Sequence, residues 1–419
     1  MHDLAARLFP ICRSITGPGT RETLRILQEY LPLQIHEVPS GTQVFDWTVP
    51  KEWTIREAYL EDAAGNRVVD FRRNNLHVVG YSVPVDQQMP LSELSEHLYS
   101  LPNQPDAIPY VTSYYQERWG FCVSQRERAK LKEGTYHAFI DSDLKDGALS
   151  YGECVIRGES EKEVLLSTYV CHPSMANNEL SGPVVAAFIA RWLQSAPRHY
   201  TYRIILIPET IGSIAYLSRN LKDLKRAMVV GFNLSCIGDE RAISYVGSRY
   251  GNTLADKVAR HVLSSMSPDY ISYSFLDRGS DERQYCSPGV DLPLVTLCRS
   301  KYGAYPEYHT SLDNLDLVTP NGLAGGYEMV RRCLDAVEHN RRYKVSCYCE
   351  PQLGRRGLYP TISTKNSSAT VQVMMDLIAY ADGTNDLIDI ANRIGVPVWE
   401  LFEIVSRLEA ADVIREHVE

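Results

Sequence analysis

Apolar and polar positions change their rhythm several times along this chain of 419 residues. Between Asp3 and Leu33, apolar residues recur at helical spacing on both sides of the turn-rich SITGPGT, which predicts helix, loop, helix. From Ile35 to about Ala148 the texture becomes β-rich. Short runs (WTIREAYLED, VVDFRRNNLHVVGYS, IPYVTSYYQERWGFCVS, TYHAFIDSDL) are broken by Asn, Gly, Pro and Asp. From Leu149 to about Asn340, strand-like runs alternate with longer helical patterns such as GPVVAAFIARWLQSA, IAYLSRNLKDLKRA and NTLADKVARHVLSSM. That alternation predicts βαβ units on a mainly parallel sheet. After the linker-like CEPQLGRRGLYPTISTK come three helical patterns, VQVMMDLIAYAD, DLIDIANRIG and VWELFEIVSRLEAADVI, with a Gly-Val-Pro turn before the last. This is the order of a helix-turn-helix or winged-helix module. The expected fold is α/β, a mainly parallel sheet with helices on both faces, built from residues 1–34 and 149–345. A β-rich domain is inserted at 35–148, and a linker with a winged-helix-like module occupies 346–419.

Three apolar runs of the α/β part end in chemistry. LLSTYVCHPSMANNELSG (Leu165 to Gly182) delivers His172 at the end of a strand pattern, and TYRIILIPETIGS (Thr201 to Ser213) delivers Glu209. GAYPEYHTSLDNLD (Gly303 to Asp316) follows the apolar Leu292 to Leu297 and carries Tyr308 and His309. In open parallel sheets each crossover returns the chain to the same edge, so residues at strand carboxyl ends assemble into one site. Two imidazoles and a carboxylate are the residue types that hold a divalent cation.

Composition narrows the function. A chain that is 44% hydrophobic and 23% charged is an ordinary globular protein rather than a disordered one. The net charge of -9, with a pI near 5.7, argues against binding nucleic acid mainly through phosphates. The last unit sharpens the point: from Val371 to Glu419 ten acids face three arginines, a net of -7, so we expect docking or dimerisation there and no nucleic acid partner. No run approaches eighteen apolar residues, so no membrane span is expected, and MHDLAARLFPICRSITG lacks the apolar core of a secretory leader. Most of the ten cysteines sit inside apolar segments, as free thiols of a cytoplasmic protein would. Cys347 and Cys349 are expected on a strand rather than at a metal.

The motifs CHPSMAN, SG, PETIGS, RGSDERQY and EYHTSLDN resemble those of a bacterial group within the zinc-exopeptidase superfamily. That group joins an aminopeptidase-like domain to a β-rich insertion and a C-terminal winged helix. The resemblance implies a metal-dependent hydrolase of a small amide or peptide, with zinc or another divalent ion. It places the first histidine ligand on His172, the bridging acid on Asn178, the general base on Glu209, its ligand neighbour on Thr210, a further aspartate on Ser235, and the last histidine on His309. Asn178, Thr210 and Ser235 carry no charge, so two closely spaced cations would lack the anion that screens their repulsion. One ion is therefore expected, held by His172 and His309 with a carboxylate from Glu209, Glu179, Asp281 or Glu282. Glu209 would act as base, while Tyr308 and Arg278 or Arg283 would stabilise an oxyanion or, with Glu282, hold substrate.

Other readings stay open beside these. His172 and His309 could be structural, and Glu209 could cap the helix after Pro208. Ser181, with no G-x-S-x-G around it, reads as a helix N-cap. Tyr110, Tyr114, Tyr115, Trp119 and Phe121 alternate as a strand would, although a substrate-stacking face is the other account of them. A non-catalytic ligand-binding protein and a DNA-binding regulator are the alternative functions, and a homo-oligomer is compatible with all three.

Overall fold

The computed structural model describes residues 1–358 and 365–417, and it divides into two compact units: Met1–Thr253 with Ile271–Tyr327, and Leu254–Tyr270 with Glu328–Glu419. Part of the expected linker, residues 359–364, and the final Val418 and Glu419 lie outside the described residues.

The first unit is organised by an eight-stranded sheet. Its strands in chain order are β1 (Gln34–Pro39), β2 (Ala148–Ile156), β3 (Glu163–Tyr169), β4 (Thr201–Ile207), β5 (Met228–Leu234), β6 (Ser244–Val246), β7 (Ile271–Tyr273) and β8 (Leu294–Cys298). In space they run β1-β2-β4-β3-β5-β8-β6-β7. The centre, β4-β3-β5-β8, is parallel, while β1, β2 and the β6/β8 contact are antiparallel. Every residue of β3 is buried, which is why its sequence is a continuous apolar run and not an alternating one. Parallel neighbours need a crossover, and the helices Ser181–Leu193 and Ile211–Ala227 supply it after β3 and β4. Gly182 lets the first of these helices sit down on the sheet: a Cβ there would lie 2.1 Å from Thr168 Oγ1 and 2.7 Å from the Leu234 carbonyl oxygen.

In register, Tyr169 faces Ile207 and Leu234 faces Leu297, so the central strands stop along one edge. The β-rich segment forms its own four-stranded antiparallel sheet, Arg67–Asp70, Glu52–Glu61, Thr135–Lys145 and Val85–Pro90 in spatial order, over a core that includes Leu60, Phe121 and Ile140. The aromatic run does not form the expected strand. Residues 110–120 are irregular, and regular pairing begins only at Phe121–Cys122. The cause is the partner of this segment, because Ile108 to Tyr110 bond to the loop that carries His309 and not to a strand.

The second unit contains the helices Lys365–Tyr380, Leu387–Ile394 and Phe402–Ala410, with a three-stranded sheet of Arg342–Val345, Asp382–Asp386 and Ile414–Glu416. The helix Leu254–Met266 belongs here, since buried His261 accepts the Val398 N–H at 2.8 Å and Lys257 pairs with Asp386 at 2.7 Å. Cys347 and Cys349 follow the end of the strand Arg342–Val345 in a bent segment, so the expected strand stops short of both. All ten cysteines are free thiols, and among the described residues no helix is long and apolar enough to cross a membrane.

Candidate active site

Just beyond the ends of β3 and β4, His172 and Glu209 come together, with His172 Nε2 3.6 Å from Glu209 Oε2. The loop after β8 brings the His309 ring to 5.6 Å from the His172 ring, centroid to centroid. The backbone is strained here: Ser174, Thr210, Cys236 and His309 all have positive φ, at 37°, 65°, 51° and 57°. A β-branched residue such as Thr210 in that region needs its surroundings to hold it. Asp281 does so, its Oδ1 accepting the Thr210 N–H and the Ser213 hydroxyl, each at 2.8 Å. His309 is held from the inserted segment, where the Tyr110 N–H donates to the His309 carbonyl at 2.9 Å.

A second layer fixes His172. Its Nδ1–H donates to Glu179 Oε2 at 2.9 Å, and Glu179 Oε1 lies 3.2 Å from Arg13 Nε. Arg13, wholly buried, also donates to the carbonyls of His172 at 2.9 Å and Leu8 at 2.7 Å. This chain of contacts sets the ring tautomer and turns Nε2 towards Glu209, the arrangement by which carboxylates orient histidine ligands. Burial opposes charge on His172, but Cys171, Tyr110 and Glu179 outweigh it and raise the pKa well above that of an ordinary imidazole. His309 is the reverse: burial and the neighbouring His172 lower its pKa to about 3, and its buried Nε2 has no partner. Burial pushes Glu209 up against the pull of His172 and Arg283, and it takes Asp281 up to about 7, with Glu209 adding to the rise.

A cavity of about 430 Å³ opens over these groups. One wall is the strand-end edge, with Cys171, His172, Glu209, Thr210, Arg283 and His309, and the other is aromatic and comes from the inserted segment, with Trp47, Tyr110, Tyr114 and Tyr115. Tyr110 lies edge-on to both imidazoles, at 5.3 Å from His172 and 5.1 Å from His309, and its hydroxyl bonds that of Tyr114 at 2.5 Å. Sequence reasoning missed Arg13 as part of the site, since it stands at no strand end, and reached Tyr110 only through the alternative account of the aromatic run as a stacking face.

The other expected residues fall in different places. Glu179 is spent on His172 and Arg13. Glu282, fully buried, accepts from the Gly279 and Ser280 N–H groups and from the Tyr302 and Thr296 hydroxyls, so it is part of the framework and not of the cavity wall. Asp281 is buried behind Thr210, with Oδ2 unpartnered. Asn178 and Ser235 both bond the Tyr169 hydroxyl, a neutral chain in which Asn178 Nδ2 is left over. Tyr308 stacks on His309 at 3.9 Å, with Tyr305 edge-on to its ring. Arg278 is exposed and lies over Phe275, away from the cavity wall, whereas Arg283 lines it. Ser181 does not cap its helix: buried inside it, its hydroxyl donates to the Asn177 carbonyl and accepts the Ile237 N–H. Glu209 does not cap the next helix either, which begins after Thr210 with no side-chain cap.

Among the described residues, the group whose side chains lie within metal-ligand spacing of one another is Cys171, His172 and Glu179; Glu209 and His309 are not part of it. Three features oppose an ion there. Nδ1 of His172 is already bonded to Glu179, burial keeps the Cys171 thiol protonated with its pKa raised to about 11, and the Arg13 guanidinium would repel a second cation. The opposite, Nε2 side of His172 meets none of these objections.

Comparison with known proteins bears on the family and the fold. A protein of Clostridium acetobutylicum, provisionally described as a polysaccharide biosynthesis protein with an aminopeptidase-like domain, is 46% identical over 94% of this chain and 91% of its own. A crystal structure from Clostridium acetobutylicum, provisionally described as a peptidase, is 43% identical, covers 99% of this chain and 95% of its own, and superposes with a TM-score of 0.94. The zinc aminopeptidase BSAP of Bacillus subtilis shares the fold at 15% identity, over 80% of this chain and 94% of its own, with a TM-score of 0.58. Residues 341–416 match the winged helix-turn-helix family. Residues 2–340 match the family described as a domain of unknown function (DUF4910), and the chain belongs to that family.

Proposed function

We propose that this protein is a metal-dependent hydrolase of a small amide, with one zinc or similar divalent ion at His172 and His309. The observation that carries this reading is the pairing of two imidazoles 5.6 Å apart, His172 buried and His309 half-buried with a buried, unpartnered Nε2, beside a carboxylate 3.6 Å from His172. The donor set suits a borderline cation that takes neutral imidazole nitrogen and carboxylate oxygen. The neutral Ser235–Tyr169–Asn178 chain offers no bridging anion for a second ion. When bound, such an ion supplies Lewis acidity that activates water near neutral pH and polarises a carbonyl.

The chain's own residues do the rest. Glu209 Oε2 accepts a proton from the attacking water and returns it to the departing amine nitrogen, a task suited to a carboxyl whose pKa burial has raised. Arg13 and Glu179 keep the His172 ring in one tautomer, and Tyr110 with Tyr114 lines the wall that faces it. The test is zinc titration of chelator-stripped full-length protein, followed by elemental analysis. One ion per chain is expected, lost in His172→Ala and in His309→Ala. Glu209→Gln should keep its fold and lose at least about 100-fold in kcat. No zinc uptake, or unchanged turnover in Glu209→Gln, overturns the reading. A binding protein without catalysis is the second reading, favoured by the uncharged Asn178, Thr210 and Ser235; it predicts that no amide is turned over while ligands still bind.

We read the winged helix-turn-helix unit as a docking module. The exposed face of the helix Phe402–Ala410 presents Glu403 and Glu409 with a single Arg407, which repels phosphates. A salt-dependent shift of a DNA duplex by the full chain would contradict this. The free thiols fit a reducing, cytoplasmic compartment, which cell fractionation checks.

A further inference from the structure

Resting on the hydrolase reading, we infer that the substrate is an N-acylated amide bearing a carboxylate that docks on Arg283, and not a peptide with a free N-terminus. An aminopeptidase must hold an α-ammonium, which needs acceptors beyond the catalytic base. The cavity has a single lining carboxylate, Glu209, and that group is committed to proton transfer. What the wall offers instead is an under-used cation. Arg283 donates from Nη2 to the Thr210 hydroxyl, while its Nε is buried with no partner. Among the described residues no carboxylate lies within 4.0 Å of Arg283, whereas about half of the other arginines of this unit are so paired, Arg13 and Arg203 among them. A guanidinium edge with free donors matches a planar carboxylate. The lining contains no lysine and no second arginine, so the site suits a monoanion better than a phosphate dianion.

The facing wall specifies the rest. Trp47 and Tyr115 pack edge to face at 5.6 Å, yet remain 37% and 58% exposed. Rings of this size left open at a cavity mouth take a flat or apolar partner. The ligand therefore runs from Arg283 to Trp47 and Tyr115, with its amide over His172, Glu209 and His309. In the reaction, water gives its oxygen to the acyl carbon as the C–N bond breaks. Its proton passes through Glu209 to the amine, leaving a carboxylic acid and a free amine with no change of oxidation state.

Three probes built on one side chain separate the alternatives: N-acetyl-L-tyrosine (blocked, anionic), its isostere N-acetyl-L-tyrosinamide (blocked, neutral) and the smaller L-tyrosinamide (free amine). With zinc-loaded full-length protein we expect kcat/KM to favour the first by roughly 10- to 100-fold, the worth of one charge-assisted hydrogen-bond pair. Calorimetric binding to Glu209→Gln should show the same order without turnover. Arg283→Met should erase the preference by lowering the anionic probe to the level of the neutral one, and Arg283→Lys should keep part of it. Preference for L-tyrosinamide, a preference that survives in Arg283→Met, or no binding of N-acetyl-L-tyrosine at millimolar concentration overturns the inference while leaving hydrolysis open. If nothing is hydrolysed but the binding order holds, the hydrolase reading falls, and what stands is Arg283 as the anchor of a blocked, anionic ligand.

Discussion

The two walls of the cavity are made in opposite ways. On the strand-end wall the central elements are backed from behind: His172 by Glu179 and Arg13, the Thr210 backbone by Asp281, and the helix start at Ser181 by the tight fit of Gly182 against Thr168. On the inserted wall Trp47 and Tyr115 stand partly in solvent and touch mainly each other. The first wall is braced from behind, as a site for reacting groups requires, and the second leaves ring surface open. Substitutions should therefore cost stability and chemistry together on one side, and binding alone on the other.

The harshest break lies behind His172. Glu179→Ala would leave the Arg13 guanidinium buried without its counter-charge, and breaking such a pair costs about 3–5 kcal/mol. Urea unfolding of the metal-stripped protein should show this in the transition of the first unit, and zinc affinity should fall by about 10- to 100-fold as the ring loses its orienter. Next comes Gly182→Ala. The added methyl meets Thr168 Oγ1 and the Leu234 carbonyl, both in the sheet, and overpacking of this kind costs about 1–3 kcal/mol. A Gly182→Ala protein as stable as the parent would show that the strand-end wall is more pliant than its contacts imply.

The strand-end wall was legible because its logic is periodic. Apolar runs that end in His172, Glu209 and the His309 loop follow from parallel-sheet topology alone, and so does their convergence on one edge. Arg13 was not legible: a buried arginine in a loop far along the chain from Glu179 has no local signature. The aromatic run was misread for a related reason. Tyr110, Tyr114 and Tyr115 alternate like a strand, but the bonds of Ile108 and Tyr110 go to the loop around His309, a pairing across some 200 residues that no local pattern encodes. Glu282 and Asp281 were alike on paper, acids side by side in RGSDERQY. Only the structure separates one saturated by four donors from one that keeps an unpartnered oxygen.

A smaller effect probes the two imidazoles against each other. His309 has a folded pKa near 3, below the ordinary imidazole value, so the unfolded chain takes up its proton first as pH falls. Its contribution is therefore fully present above the unfolded pKa and is lost as pH drops towards the folded one, at up to about 1.4 kcal/mol per pH unit. His172, shifted upwards, contributes with the opposite sign. In stripped protein the stability difference between wild type and His309→Leu should shrink between pH 7 and pH 5. A constant difference would mean that His309 is not held neutral.

The smallest stability effect belongs to the inserted wall and is the sharpest test of the contrast. Trp47→Ala and Tyr115→Ala remove large rings, but from positions that water already reaches, so the unfolding free energy should move by no more than about 0.5 kcal/mol. If these rings exist to receive ligand, the cost appears elsewhere: KM should rise with kcat nearly unchanged, the pattern of lost binding shared by ground and transition states. A fall in kcat at constant KM would place the rings in the chemistry and dissolve the division between the walls. A loss of stability instead would make them structural, with Trp47 the hinge of the short hairpin Gln43–Val44 and Trp47–Thr48.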